Sequence, residues 1–475
     1  MRYNKIIMKP IKFDVICIGA GSGGLAIGLA TAKIGLKVLI IEKDSDNIGG
    51  ECLNSGCIPS KALLHASRQY DSFNKVIAYV KERQSIIEHH ESIESLEDQG
   101  LTILIGAARF TSKNVLEVNK KKYSAKKIVI ATGSKPRTIE LKNHGQVPIV
   151  TNEHIFEITN PTHVGIIGGG PIGCEIAQAF GNLGIKVTLI ERGNRLLPHD
   201  PQFAGNLVQK NLKDLGITVC YEQEVVEVDY GNRMHLKPVG IDDNSNDKLS
   251  NPVSHILLAL GRDRDFSDLD LKTAGIRIND KGDPVLDSYN RSVSNKQVVF
   301  AGDASGDPAF SHMAEEHARI HVTNWLSPFA FKKPRLNMVP WVTFTNYQVA
   351  KFGKSRKNLD SNNKKYRIVS GDFSRDDRAI TDSYQDARYE LYIGKGLLKE
   401  HLLGGIVVSP HAGELVQELM LVTEQKLPLA SIRNKFYAYP TAGRFWQKVL
   451  LDDLADRWID NKIRQIVRIL FTIGR

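Results

Sequence analysis

Residues 13–24 read Phe13-Asp14-Val15-Ile16-Cys17-Ile18-Gly19-Ala20-Gly21-Ser22-Gly23-Gly24, and residues 164–173 read Val164-Gly165-Ile166-Ile167-Gly168-Gly169-Gly170-Pro171-Ile172-Gly173. Each is a largely apolar run that breaks into a Gly-x-Gly-x-x-Gly turn. An apolar helical stretch follows each turn, then a second apolar run, Val38–Ile41 or Val187–Ile190, ending in Glu42 or Glu191. Each acid lies 23 positions after the first glycine of its turn. The residue types have physical reasons. The first glycine turns tightly, the second lets backbone approach a pyrophosphate, and the third lets helix and strand pack closely; the helix N-terminus attracts the phosphate charge. The acid accepts hydrogen bonds from ribose hydroxyls. One such turn is weak evidence, but the whole strand–turn–helix–strand–acid context twice over is not a coincidence of composition.

Each copy has a later apolar run that also ends in glycine: Ile128-Val129-Ile130-Ala131-Thr132-Gly133 and Ile256-Leu257-Leu258-Ala259-Leu260-Gly261-Arg262. A further run, Val298–Ala301, ends in Gly302-Asp303. The expected class is α/β, with two doubly wound, Rossmann-like dinucleotide-binding domains, the second inserted in the first. The first is expected over residues 1–150 and 266–330, and the second over 151–265. Residues 335–458 alternate strand-like runs (Tyr389–Ile393, Leu403–Val408) with helical stretches from Ala412 and Gly443, which predicts an α+β domain. Within it, the polar, basic segment Lys354–Lys365 is expected to be a solvated hairpin loop. Residues 459–475 place Ile459, Ile463, Ile466, Val467, Leu470 and Ile473 at helical spacing, with Lys462, Arg464, Arg468 and Arg475 supplying charge. This predicts an amphipathic basic helix, in peripheral contact with an anionic membrane surface or packed on the protein's own dimer.

Composition narrows the rest. The 475 residues are 42% hydrophobic and 24% charged, which excludes a disordered or fibrous chain. The net charge of +10 is spread along the chain, so no nucleic-acid partner is expected. Five cysteines are too few for a disulfide scaffold, no window carries 18 uninterrupted apolar residues, and the first residues have no leader pattern. A reducing, cytoplasmic setting is the expectation.

Cys52 and Cys57 lie in Gly49-Gly50-Glu51-Cys52-Leu53-Asn54-Ser55-Gly56-Cys57-Ile58-Pro59-Ser60-Lys61. Cysteines five apart can meet on roughly one face of a helical turn, close enough for a disulfide. Zinc is the rival reading, but no second Cys/His cluster partners the pair, and no metal is expected. Two inert buried thiols are a third reading; the pair's place directly after a dinucleotide-binding unit argues against it.

This stretch, with IVIATGS, GGGPIGCE, ALGR and FAGDAS in the same order, resembles the pyridine nucleotide-disulfide oxidoreductases with a Cys-x4-Cys centre, a group that includes dihydrolipoamide dehydrogenase and mercuric reductase. The resemblance covers about residues 12–445. It implies FAD in the first domain, NAD(P)H in the second, and a C-terminal domain that forms a homodimer. By that resemblance, Gly19, Gly21, Ser22, Gly24, Glu42, Lys43, Gly50, Lys61, Ala131, Thr132, Gly133, Gly302, Asp303, Met313 and Ala314 would hold FAD, and Gly168, Gly170, Gly173, Glu191 and Gly261 the nicotinamide cofactor. Asp303 would bind the ribitol chain, and the helix after Pro308 would point its positive end at the isoalloxazine. Cys57 would face the flavin as a charge-transfer thiolate, Cys52 would meet the acceptor, and Lys61 would pair with Glu175. Glu191 favours NADH over NADPH, because a carboxylate there repels a 2′-phosphate.

The chain departs from the group in one place. Members acting on dithiols carry a His before Pro-Thr and a Glu a few residues on; here Tyr439 precedes Pro440-Thr441, and Arg444 stands at the Glu position. A phenol with a pKa of about 10 is a poor base near neutral pH. Mercuric reductases similarly carry Tyr there, but this chain has no cysteine after Cys220 to deliver a metal. His411 is a candidate substitute base. The leading expectation is an FAD-dependent, NAD(P)H-linked disulfide oxidoreductase that passes electrons through a Cys52–Cys57 redox disulfide to an acceptor the sequence does not name, a small-molecule disulfide, a metal or a quinone. The alternative is a flavin NADH dehydrogenase that reduces a quinone or a metal ion such as Hg(II). A non-catalytic flavin-binding redox sensor is a third reading, against which both intact nucleotide motifs argue.

Overall fold

The computed structural model describes residues 9–240, 248–329, 331–394, 400–458 and 461–473. They form two compact units, Met1–Leu196 with Leu212–Leu336, and Leu197–Asn211 with Asn337–Arg475.

The first unit contains two sheets that carry the glycine turns, the first mixed, with Val115–Val118 antiparallel to both its neighbours, and the second all parallel. In the first sheet the strands run in the order Leu101–Ile105, Val38–Glu42, Ile11–Ile18, Lys121–Ile130, Val115–Val118, Arg109–Ser112, with Val298–Phe300 also paired to Lys121–Ile130. Its central strands are parallel: Ile16 lies beside Leu39 on one side and Ile128 on the other. Helices cover both faces of a parallel sheet, so its strands need apolar residues on both faces rather than alternation. Accordingly Ile16, Cys17, Ile40, Ile128, Val129, Ile130, Val298, Val299 and Phe300 are fully buried. The second sheet repeats the arrangement in the order Thr218–Tyr221, Lys186–Glu191, His163–Ile167, His255–Leu258, Ile149–Val150, all parallel. In each sheet the chain winds outward from the first strand in both directions. That creates a crevice at the strand ends where ligands of such sheets bind.

The second unit is built on an antiparallel sheet in the order Trp341–Thr343, Gln348–Gly353, His401–Ser409, Arg388–Gly394, Tyr366–Asp372, as the α+β expectation requires. Its core is aromatic: Phe373 stacks on Phe445 at 3.8 Å between ring centres, and Trp446 is buried with Nε1 donating to the Leu415 carbonyl at 2.9 Å.

One expectation is overturned here. Lys354–Lys365 is not a hairpin loop but contains a helix, Arg356–Ser361. Ser355 accepts from the Asn358 N–H as its N-cap, and Leu359 is fully buried beneath an otherwise charged surface. A single apolar anchor and a capping serine outweigh the polar composition. At the far end, Asn461–Ile473 is a helix whose Ile466, Val467, Leu470 and Ile473 are exposed. Ile459 and Arg475 lie outside the described residues, as do the side chains of Lys462, Ile463 and Arg464. Among the described residues no helix is long and apolar enough to cross a membrane.

Candidate active site

The two glycine turns have matching geometry. A Cβ on Gly19 would lie 2.3 Å from the Ala131 carbonyl oxygen, and one on Gly168 would lie 2.3 Å from that of Ala259. A Cβ on Gly24 or Gly173 would lie 1.9 Å from the oxygen of Gly19 or Gly168. These contacts bring the helices Ser22–Lys33 and Pro171–Asn182 tight against their strands. The middle glycines, Gly21 and Gly170, are the N-caps of those helices, and no side chain caps either one. A Cβ on Gly170 would meet no protein atom within 4 Å. Uncapped N–H groups facing open space at a helix N-terminus fit a pyrophosphate. Gly21 bridges to Gly49 of the cysteine segment, so Gly50 is held next to the first turn. The acids complete the turns. Glu42 accepts from the N–H groups of Ala20 (2.7 Å) and Lys43 (2.8 Å), and Glu191 from those of Gly169 and Gly193 (both 2.7 Å). The Lys43 ammonium turns outward to Asp268 at 2.9 Å. Gly261 sits just beyond the strand His255–Leu258, its carbonyl accepting from the Arg137 N–H.

Ala131, Thr132 and Gly133 leave the end of Lys121–Ile130, beside the turn Gly302–Ser305 that carries Asp303. Buried His317 holds that turn: its Nδ1 accepts from the Gly302 N–H at 3.1 Å, and its Nε2 donates to Asp307 at 2.9 Å. Asp303 accepts from the Ser134 hydroxyl at 2.5 Å, and Ser134 in turn accepts from Arg262 Nε at 2.7 Å. Arg262 also pairs with Glu51, which Asn152 contacts at 2.8 Å. Burial pushes the Glu51 carboxyl up to about 7 in spite of Arg262. Met313 and Ala314 are buried on the helix Ser311–Trp325. Sequence reasoning missed His317, Ser134, Glu51, Asn152 and Ser311. Only Ser311 had a signal, as the first residue of the helix expected after Pro308.

The cysteines meet in a different way from the expectation of a single helical turn. Cys52 belongs to the helix Gly50–Asn54 and Cys57 opens the helix Cys57–Ala66. Gly56, with φ −114° and ψ −110°, breaks the two apart, while the N–H groups of Ser55 and Gly56 both turn back to the Glu51 carbonyl. Both thiols are free. Interaction with Cys52 draws the Cys57 thiol down to about 6, aided by Ser311 and by the positive charge of Lys61, against burial and the Glu175 carboxylate. The same interaction, with burial, pushes Cys52 up. Cys57 Sγ lies 3.5 Å from the Ser311 hydroxyl at the start of its helix. Lys61 Nζ pairs with Glu175 at 2.8 Å, and the Glu175 side chain is 5% exposed. Ser311→Ala should therefore raise the Cys57 pKa by about one unit, since a hydrogen bond to a charged group contributes about 1.5 kcal/mol. A pH titration of the reduced enzyme's long-wavelength absorbance checks this.

In the second unit, Tyr439 is 66% exposed and the Arg444 guanidinium stacks 5.2 Å above its ring. Tyr437 is engaged by Glu418 at 2.7 Å. Exposed His411 precedes the helix Ala412–Glu424 and shares a cleft of about 350 Å³ with Glu414, Glu418, Pro440 and Thr441.

Two dinucleotide-binding sheets and a polarised thiol pair in one unit define an oxidoreductase that moves electrons between a nicotinamide, a flavin and sulfur. The sequence profile described as "Pyridine nucleotide-disulphide oxidoreductase" matches residues 13–318, and that family's dimerisation domain matches residues 339–449. The chain belongs to this family, and the second match supports a homodimer. It is 27% identical to a mercuric reductase of Bacillus cereus, over 90% of this chain and 69% of that one. It is 28% identical to a dihydrolipoyl dehydrogenase of Staphylococcus aureus, over 91% of this chain and 95% of that one. Among solved structures, the HOCl-induced flavoprotein disulfide reductase RclA of Escherichia coli superposes with a TM-score of 0.80 at 22% identity, covering 92% of this chain and 98% of its own. LpdA of Mycobacterium tuberculosis gives 0.81 at 19% identity, covering 92% and 98%. The chain is an FAD-dependent oxidoreductase that uses a pyridine nucleotide.

Proposed function

We propose that two electrons pass from NADH through FAD to the Cys52–Cys57 disulfide, and from the resulting dithiol to a small-molecule disulfide acceptor. The balance for the first half is NADH, a proton and the disulfide giving NAD⁺ and the dithiol. The observation that carries the reading is the pair of free thiols on adjoining helices, with Cys57 Sγ 3.5 Å from the Ser311 hydroxyl and its thiol drawn down while that of Cys52 is pushed up. The flavin supplies the relay between hydride and thiol chemistry. The chain's own groups do the rest. Gly21 and Gly170 open the helix N-termini to pyrophosphate, Asp303 is poised for the ribitol hydroxyls, and Lys61–Glu175 sets a fixed charge beside the thiols. Cys52, the less acidic thiol, meets the acceptor. Residues 1–150 with 266–330 hold FAD, 151–265 hold NADH, and 335–458 pair two copies. The two buried cysteines, Cys17 and Cys174, fit a reducing cytoplasmic setting.

The preference for NADH rests on Glu191, which faces its own glycine turn, and on Arg192, whose guanidinium is engaged by Glu224 at 3.6 Å. Glu191→Ala should cut the NADH-over-NADPH ratio of kcat/KM by about tenfold or more, or 1.4 kcal/mol. A wild-type enzyme that already favours NADPH would overturn the preference.

Anaerobic titration of the yellow protein with NADH tests the electron path. A long-wavelength band at two electrons supports it. Bleaching of the flavin without that band means the cysteines are bypassed. The second reading, NADH oxidation by a quinone or Hg(II), is then the better one, and the exposed Tyr439 with its stacked Arg444 in place of a His–Glu pair favours it.

A further inference from the structure

The helix Asn461–Ile473 carries an apolar face that is open in the described chain. Ile466, Val467, Ile469, Leu470, Phe471 and Ile473 are between 54% and 81% exposed. At 3.6 residues per turn these six positions span an arc of roughly 200°. Gln465, Arg468 and Thr472 occupy the opposite side. Residues 461–473 contain Lys462, Arg464 and Arg468 and no Asp or Glu.

Three observations decide what covers the face. First, the dimerisation-domain match covers residues 339–449, and this helix lies beyond it. Second, a two-helix seam uses a narrow stripe of about two positions in seven, and this face is far wider. Two copies would also bring together helices that carry only positive charge. Third, at 1.5 Å per residue the helix is about 20 Å long, too short to cross a hydrocarbon layer of about 30 Å. A wide apolar face, Arg468 on the opposite side, and a helix sequence whose only charges are cations are the marks of a helix lying in a lipid–water interface, where cations favour anionic headgroups. We infer that residues 461–473 lie in an anionic membrane surface and hold the enzyme to it. The inference is independent of which acceptor the enzyme reduces.

Co-sedimentation of the full-length holoenzyme with vesicles tests it, comparing phosphatidylcholine alone with phosphatidylcholine containing phosphatidylglycerol. The expected result is binding to the anionic vesicles at least tenfold stronger than to the neutral ones, weakened at high salt. The double variant Leu470→Glu/Phe471→Glu should lose at least tenfold in vesicle binding while keeping its flavin content, dimer mass and NADH oxidation in solution. Absent binding, equal binding to neutral vesicles, or unchanged binding by the variant would overturn the inference. So would a fall in the variant's mass by light scattering, which would assign the face to a contact between copies.

Discussion

Replacing Cys57 with serine should lower NADH-driven disulfide reduction by at least about 10³-fold, because a thiol that forms and breaks the covalent link to sulfur has no substitute in a hydroxyl. Reduction of the flavin by NADH, followed anaerobically by stopped flow, should change by less than about twofold, since the nucleotide turns lie outside the pair. Cys52→Ser should lose disulfide turnover equally but differ in its spectrum, because Cys57 keeps a hydroxyl donor and the charge of Lys61. The pH dependence has a definite sign. The folded chain holds Cys57 near 6, below the ordinary thiol value of 9.0. The thiolate is therefore present above pH 6 and is lost as pH falls through 6, so the long-wavelength band of the reduced wild-type enzyme should fade below that point. If either variant keeps its disulfide turnover, the cysteines are not the route, and quinones and Hg(II) become the acceptors to measure.

Legibility in the sequence followed the range of the interactions. The nucleotide turns were readable because their demands are local: Gly24 and Gly173 are forced by a backbone oxygen five residues earlier, and Glu42 and Glu191 by the N–H groups of their own turns. The pairing of Lys61 with Glu175, 114 residues apart, was reached only through resemblance, since no periodicity reports a contact of that separation. The chain from Glu51 through Arg262 and Ser134 to Asp303 was missed for the same reason, being assembled from four segments far apart in sequence. His317 was missed because a buried histidine on a helix reads as core, and here it is core that also fixes the Asp303 turn. Burial explains the error at Lys354–Lys365, where Leu359 alone turns a polar segment inward.

The sharpest separation of fold from function lies within one glycine turn. Gly173→Ala places a Cβ 1.9 Å from the Gly168 oxygen, inside any tolerable contact, so the helix Pro171–Asn182 must move off its strand. A stability loss of about 1–3 kcal/mol is expected from such overpacking, read as a lower midpoint in denaturant. Gly170→Ala, three residues earlier, adds a methyl that meets no protein atom, at an extended backbone conformation that alanine adopts freely. Its stability should be unchanged. The methyl does enter the space in which pyrophosphate would approach the helix N-terminus, so KM for NADH should rise by about tenfold or more, equivalent to 1.4 kcal/mol. With chemistry untouched, kcat should hold, and FAD content should match the wild type because the first turn is a separate sheet's. A Gly170→Ala enzyme with an unaltered KM would mean that the open space beside the helix N-terminus is not where the nicotinamide cofactor binds.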